Sequence, residues 1–279
     1  MNALEIIKFG SNLLKEKKIS SFILDSEILL SKTLSKTREN ILTNLDQKIS
    51  KKNVSVFKKY LQRRSNNEPI AYILEEKEFW SKKFYINKST LIPRPETELL
   101  VDKILKIYKE KKISILDIGT GSGCIIISLL SSLKNSNGIG VDVSKNAIST
   151  AQKNAIKYNL SKRVKFFKKS FKNIFGKKFD LIVSNPPYID SKYIKDLSDD
   201  IKRFEPRIAL DGGNDGLDLI KKVIYKSTHI LKINGMLALE IGNEQIKKVS
   251  KILIDNNFRI KHVIKDYKTN VRCLFAYYN

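Results

Sequence analysis

The residues best suited to chemistry are Asn185, Pro186, Pro187 and Tyr188. The Asn185 amide carries an acceptor oxygen and a donor NH2 group. Pro186 and Pro187 have no N–H and a fixed φ, so they stiffen the segment and turn its carbonyls outward. Tyr188 adds a flat aromatic face. Rigid acceptors beside a flat ring suit a planar substrate with an NH2 group, either an amide or an exocyclic base amine. A second set lies upstream, where Asp117 precedes Gly119-Thr120-Gly121-Ser122-Gly123. Glycines there let the backbone turn tightly and approach a ligand closely. Asp142 follows Gly123 by 19 residues, where a carboxylate can accept bonds from both ribose hydroxyls of a nucleoside. A nicotinamide enzyme would want Gly-x-Gly-x-x-Gly and a diphosphate at the helix start. The pattern present fits a nucleoside without phosphates whose amino acid portion packs on the loop, and S-adenosylmethionine is such a ligand.

These residues need strand ends to hold them. The apolar run Phe179 to Val183 reads as a buried parallel strand, which puts Asn185 at a carboxyl end, where open α/β sheets bind ligands. Ile113 to Ile118 reads as the strand before the glycine loop, and residues 123–133 as the helix after it. Strands are expected over 138–143, with Asp142 at the end, and over 164–168. Ser144 caps a helix running to Tyr158. A helix over 217–231, a strand over 236–241 and a helix over 244–255 follow. The last strands, 258–265 and 272–278, have no helix between them and should be antiparallel. The alternation predicts a parallel sheet with helices on both faces. Residues 1–75 read as a small helical bundle, with Leu4, Ile7, Leu13 and Leu14 at helical spacing and a stripe of Ile23, Leu24, Ile28, Leu29 and Leu30. Residues 76–90 read as a β-hairpin connector in which Trp80 is a packing anchor. Residues 91–279 form the expected catalytic domain.

The formal net charge of +24 comes mostly from lysine, with nine arginines among 53 basic residues. The lysines are scattered, which points to compositional bias, with an acidic partner as the second reading. Cys124 and Cys273 are far apart and His229 and His262 are isolated, so neither a disulfide framework nor metal-ligand spacing is present. No metal is expected. No apolar run reaches the length of a membrane span, and no signal-peptide pattern is seen. The expectation is a soluble protein of the reducing cytoplasm, with a monomer as the default.

With the glycine loop, Asp142 and Asn-Pro-Pro-Tyr in this order, the chain resembles a class I S-adenosylmethionine-dependent methyltransferase, a Rossmann-like α/β fold with a seven-stranded sheet and an antiparallel last strand. Further segments resemble the PrmC/HemK family: Pro69-Ile70-Ala71-Tyr72, Glu78-Phe79-Trp80, Leu91 to Glu98, Phe204-Glu205-Pro206-Arg207, and Asp211 to Leu217. That likeness covers nearly the whole chain. Members of the family methylate the side-chain amide nitrogen (N5) of the glutamine in the Gly-Gly-Gln motif of peptide chain release factors. The resemblance implies S-adenosylmethionine as cofactor, held by Gly119, Thr120, Gly121, Ser122, Gly123, Asp142, Phe171 and Asn185. It implies Asn185, Pro186, Pro187 and Tyr188 around the substrate amide, with release factor recognition by the amino-terminal bundle. Ser170 stands where the family commonly has an aspartate, and Glu75 where it commonly has a glycine. An adenine-N6 methyltransferase acting on DNA or RNA would share Asn-Pro-Pro-Tyr, although no dedicated nucleic-acid module is visible. A nonenzymatic RNA-binding protein on this fold is the other alternative.

Overall fold

The computed structural model describes residues 1–176 and 178–279. The chain begins with α1 (Ala3–Glu16), α2 (Phe22–Leu34), α3 (Arg38–Leu42), α4 (Lys51–Ser65) and α5 (Ile70–Leu74). A hairpin of β1 (Glu76–Phe79) and β2 (Lys82–Tyr85) comes next. Then follow α6 (Glu98–Tyr108), β3 (Ser114–Ile118), α7 (Cys124–Ser132), β4 (Asn137–Asp142), α8 (Lys145–Lys157), β5 (Val164–Lys168) and β6 (Phe179–Ser184). The chain closes with α9 (Asp199–Phe204), α10 (Asp218–Ile230), β7 (Leu231–Glu240), α11 (Ile246–Asp255), β8 (Phe258–Lys265) and β9 (Val271–Tyr278).

Two compact units result: Met1–Glu75 with Ser198–Phe204, and Glu76–Leu197 with Glu205–Asn279. In the first, α1 starts with a capping box, in which Asn2 accepts from the Glu5 N–H and the Glu5 side chain accepts from the Asn2 N–H. Its core gathers Ile6, Ile7, Leu14, Leu29, Leu30, Phe57 and Leu61. The helix α2 departs from the expected stripe. Ile23 and Leu24 are exposed, and Asp25, Ser26 and Glu27 are buried. Partners explain the inversion: Arg64 meets Asp25 at 2.6 Å, Arg38 meets Glu27 at 2.6 Å, and the Ser26 hydroxyl donates to the Ile7 carbonyl.

The second unit carries, among the described residues, a seven-stranded sheet in the order β5-β4-β3-β6-β7-β9-β8. The pairs from β5 to β7 are parallel, and β9 is antiparallel to both β7 and β8. Successive side chains feed opposite cores: Ile115, Leu181 and Val183 join one, Leu116 and Ile182 the other. Burial on both faces is why the central strands read as unbroken apolar runs. The strand β7 starts earlier than expected, at Leu231, with a register shift before Met236. Asn234 sits at φ +59° in that irregular stretch. The hairpin turns at Trp80 and Ser81, both at positive φ, the backbone that two-residue hairpin turns favour. Its phenylalanines, Phe79 and Phe84, lie in the sheet's core. No helix among the described residues is long and apolar enough to cross a membrane.

Candidate active site

The site is set by strand register. Ile118, the last residue of β3, pairs with Ser184, the last of β6, and the Ser184 hydroxyl donates to the Ile118 carbonyl at 2.8 Å. The next residues out of the sheet are therefore Gly119 and Asn185, side by side. This is also where the sheet order reverses, with β4 on one side of β3 and β6 on the other, the position at which open α/β sheets form a ligand crevice. A cavity of about 300 Å³ occupies it. Gly119, Thr120, Gly121, Ser122, Asp142, Phe171, Asn185, Pro186 and Pro187 all line it. So do Ser170 and Arg94.

The glycine loop is held from outside. The Gly119 and Thr120 N–H groups donate to the Val141 carbonyl, and Gly121 N–H donates to Asp142 Oδ2 at 3.0 Å. Asp142 Oδ1 accepts from Ser144 N–H at 2.9 Å. Each Asp142 oxygen keeps a lone pair for a ligand. Burial raises its pKa, against the lowering effect of those backbone bonds. Asn154, fully buried, donates to the Ser122 carbonyl at 2.8 Å and exchanges two bonds with the Tyr85 backbone. The hairpin thereby braces the loop.

Two sequence-derived candidates lie elsewhere. Gly123 does not line the cavity. It takes φ +78°, and a Cβ there would come within 2.9 Å of Ile127, so a side chain would collide with the helix that follows. Tyr188 is not part of the wall either. Its ring packs on the second core of the sheet, and its hydroxyl reaches Glu240 Oε1 at 3.4 Å. Cys124 does line the cavity, but burial pushes its thiol up to about 12, which leaves no thiolate nucleophile.

Two residues not singled out by the sequence complete the site. Thr97, 3% exposed, accepts from Asn185 Nδ2 at 3.2 Å and donates to Glu240 Oε2 at 2.6 Å. Glu240, 1% exposed, ends β7. Burial pushes its pKa up to about 7, opposed by the Thr97 bond and the Arg272 charge and reinforced by Glu96. Glu205 is another buried carboxylate, accepting from Ile92 N–H and from Arg94. It ties the 92–94 wall to the 205–210 wall.

Do these residues fit S-adenosylmethionine? At Gly119, φ +72°, an added Cβ would meet nothing within 4 Å, and at Gly121 only the Gly119 carbonyl at 3.9 Å. The loop is an open cradle whose conformation disfavours side chains. Beneath it and behind the cavity wall, Asp117 is 1% exposed; Oδ2 accepts from Thr120 and Oδ1 makes no hydrogen bond among the described residues. Burial pushes its pKa up to about 7. An orphaned buried carboxylate oxygen suits the ammonium of an amino acid moiety. The donor set fits.

Comparison with known proteins agrees with the geometry. Residues 5–74 match the PrmC N-terminal domain family, and residues 95–201 the methyltransferase small domain family. A release factor glutamine methyltransferase of Buchnera aphidicola is 42% identical, the match covering 89% of each chain. The chain belongs to the release factor glutamine methyltransferase family. Another member, from Fusobacterium nucleatum, is 37% identical over 98% of this chain and 78% of its own. A bifunctional methyltransferase of Rickettsia conorii is 37% identical over 97% of this chain but only 56% of its own length. The chain thus spans about half the length of the Rickettsia relatives it matches. Among solved structures, the hMettl16 catalytic domain superposes with a TM-score of 0.60 at 18% identity, covering 79% of this chain and 82% of that one. A methyltransferase from Pyrococcus furiosus gives 0.53 at 20% identity, covering 70% and 88%. Both likenesses concern the class I fold of this family member.

Proposed function

We propose that the chain transfers a methyl group from S-adenosylmethionine to the N5 amide nitrogen of the glutamine in the Gly-Gly-Gln motif of peptide chain release factors. The observation that carries the reading is the Ile118–Ser184 register, which sets the glycine loop and Asn185 against one cavity. Relatives of comparable length named for release factor glutamine methylation support the substrate.

The cofactor, when bound, supplies a methyl group already activated by its sulfonium. The glycine loop, from Gly119 to Ser122, cradles the amino acid portion, with Asp117 as counter-charge to the ammonium. Asp142 accepts from the ribose hydroxyls. Phe171 would hold the adenine, and Ser170 would offer its amine a hydroxyl. An amide nitrogen is a poor nucleophile, because its lone pair is delocalised into the carbonyl. Asn185 Oδ1 and the Pro186 carbonyl accept its two N–H bonds. They aim the nitrogen at the methyl carbon and stabilise the positive charge that builds on it. In-line placement supplies much of the rest. An N-methylated amide cation is strongly acidic, so its proton leaves to water without a dedicated base. Pro187 stiffens this wall, and Tyr188 supports it from behind through its hydroxyl and backbone. The amino-terminal helical unit recognises the release factor, and the protein works as a monomer.

The test is transfer of labelled methyl from S-adenosylmethionine to a purified release factor, beside its Gly-Gly-Ala variant and a structured RNA. Label on the wild-type factor alone is expected. Label on the RNA alone would replace the amide with an adenine amine as the substrate.

A further inference from the structure

We infer that Thr97 and Glu240 form a positioning relay that fixes which end of the Asn185 amide faces the substrate. The inference rests on the proposed role of Asn185 as acceptor for the substrate nitrogen. An asparagine side chain is nearly symmetric in shape, and rotation by half a turn exchanges its oxygen for its NH2 group. One orientation presents an acceptor to the substrate N–H. The other presents a donor, which would repel it. Something must choose between them.

The hydrogen bonds around Asn185 make the choice. A threonine hydroxyl has one proton, and that of Thr97 is given to Glu240 Oε2 at 2.6 Å. Thr97 Oγ1 can then meet Asn185 only as an acceptor, and only the NH2 end answers, at 3.2 Å. The flipped amide would set its oxygen against a lone pair. Glu240 uses its other oxygen on the Tyr188 hydroxyl. One buried carboxylate therefore holds Asn-Pro-Pro-Tyr at both ends, from a strand that neighbours β6. Thr97 and Glu240 do not touch the transferred methyl group in this account. They act through Asn185.

The direction of the relay depends on Glu240 being an acceptor at Oε2. A proton placed there would be donated to Thr97, whose own proton would turn toward Asn185 and favour the flipped amide. The charged and titratable groups that bear on Glu240 are Glu96 beside Thr97, Arg272 and Cys273 on β9, Cys124 on α7, and Tyr188. Arg272 favours the carboxylate and Glu96 opposes it.

The experiment uses the full chain with Thr97→Val, Thr97→Ser, Glu240→Ala, Glu240→Gln and Asn185→Ala. Two quantities are measured: single-turnover methyl transfer to the release factor, and the side-chain NH2 resonances of Asn185, assigned by their loss in Asn185→Ala. Thr97→Val and Glu240→Ala are expected to lower turnover about tenfold or more, with cofactor affinity retained, and to shift the Asn185 NH2 resonances. Thr97→Ser keeps the relay and should recover most of both, while Glu240→Gln, whose single oxygen can accept from Thr97 or from Tyr188 but not from both, should recover only part. In the Asn185→Ala background, Thr97→Val should cost nothing further, since coupled residues are not additive. Full turnover in Thr97→Val, losses that multiply in the double variant, or unmoved Asn185 resonances would overturn the relay. Absence of methyl transfer by the wild type would instead strike the proposed substrate, while the resonances would still decide the relay.

Discussion

Replacing Asn185 by alanine separates catalysis from binding. In the proposed mechanism the side chain contributes one oriented acceptor to the substrate nitrogen, in a wall that also contains buried Pro186. Removing one such preorganised group from a site where charge develops costs about 3–4 kcal/mol, or about 100- to 1000-fold in turnover. The cost to the fold is much smaller. The variant loses one neutral bond, Asn185 Nδ2 to Thr97 at 3.2 Å, worth about 1 kcal/mol, and Thr97 still donates to Glu240. The cradle at Gly119 and Gly121 is anchored to Val141 and Asp142, not to Asn185. Cofactor affinity should therefore change little. Asn185→Asp is expected to be at least as damaging, because it turns a carboxylate toward a Thr97 oxygen whose proton is already committed. The assay is single-turnover transfer at saturating cofactor, with cofactor affinity measured by calorimetry on the same samples. Turnover within about threefold of wild type, or loss of cofactor binding in parallel with turnover, would refute the reasoning.

Other perturbations follow from the same geometry. Asp142→Ala removes the proposed ribose acceptor and frees the Gly121 and Ser144 N–H groups; cofactor affinity should fall about 10- to 100-fold, read by calorimetry, and unchanged affinity would remove Asp142 from the site. Glu75 ends α5 at φ +59°, a backbone that penalises a side chain, so Glu75→Gly should raise stability by up to about 1 kcal/mol in urea unfolding. Asp117 and Glu240 have folded pKa values raised to about 7 from ordinary values of 3.8 and 4.5. Without cofactor, their contribution to stability is full below the ordinary values and is lost as pH rises through about 7. Urea midpoints taken from pH 5 to 8 should show that decline, and Glu240→Gln should flatten it.

Much of the site was legible because its residues are punctuation. A glycine loop, an acidic strand end and a double proline mark backbone events that neighbouring residues can hardly disguise. Their meeting needs, beyond strand alternation, the β3–β6 pairing that puts Ile118 beside Ser184. Thr97 and Glu240 were not legible, since they act through distances of 143 residues along the chain, and a polar residue at the end of an apolar strand looks like its solvent-facing terminus. Asn154 likewise reads as an ordinary helix-surface amide until its partners on the hairpin and the loop are seen. The α2 stripe misled for a related reason. Helical periodicity ranks side chains by hydropathy, and Asp25 and Glu27 are buried because arginines distant in sequence come to meet them. Tyr188 shows the limit of reading a motif by type: its ring serves the core.

The bond from Ser184 to Ile118 joins positions 66 residues apart, and this bears on when the protein would acquire the proposed activity. During synthesis the glycine loop and Asp142 emerge first, and β3, β4 and β5 can pair with one another before β6 exists. A nascent chain that ends before Phe179 would hold half a site, able to take up cofactor and unable to present an acceptor. Parallel pairing across a long crossover is slow to form. Methyl transfer would therefore report the pairing of β6 with β3 and, through Glu240, of β7 with β6, while cofactor binding could precede both. A refolding experiment that follows both would resolve two times, with cofactor uptake leading.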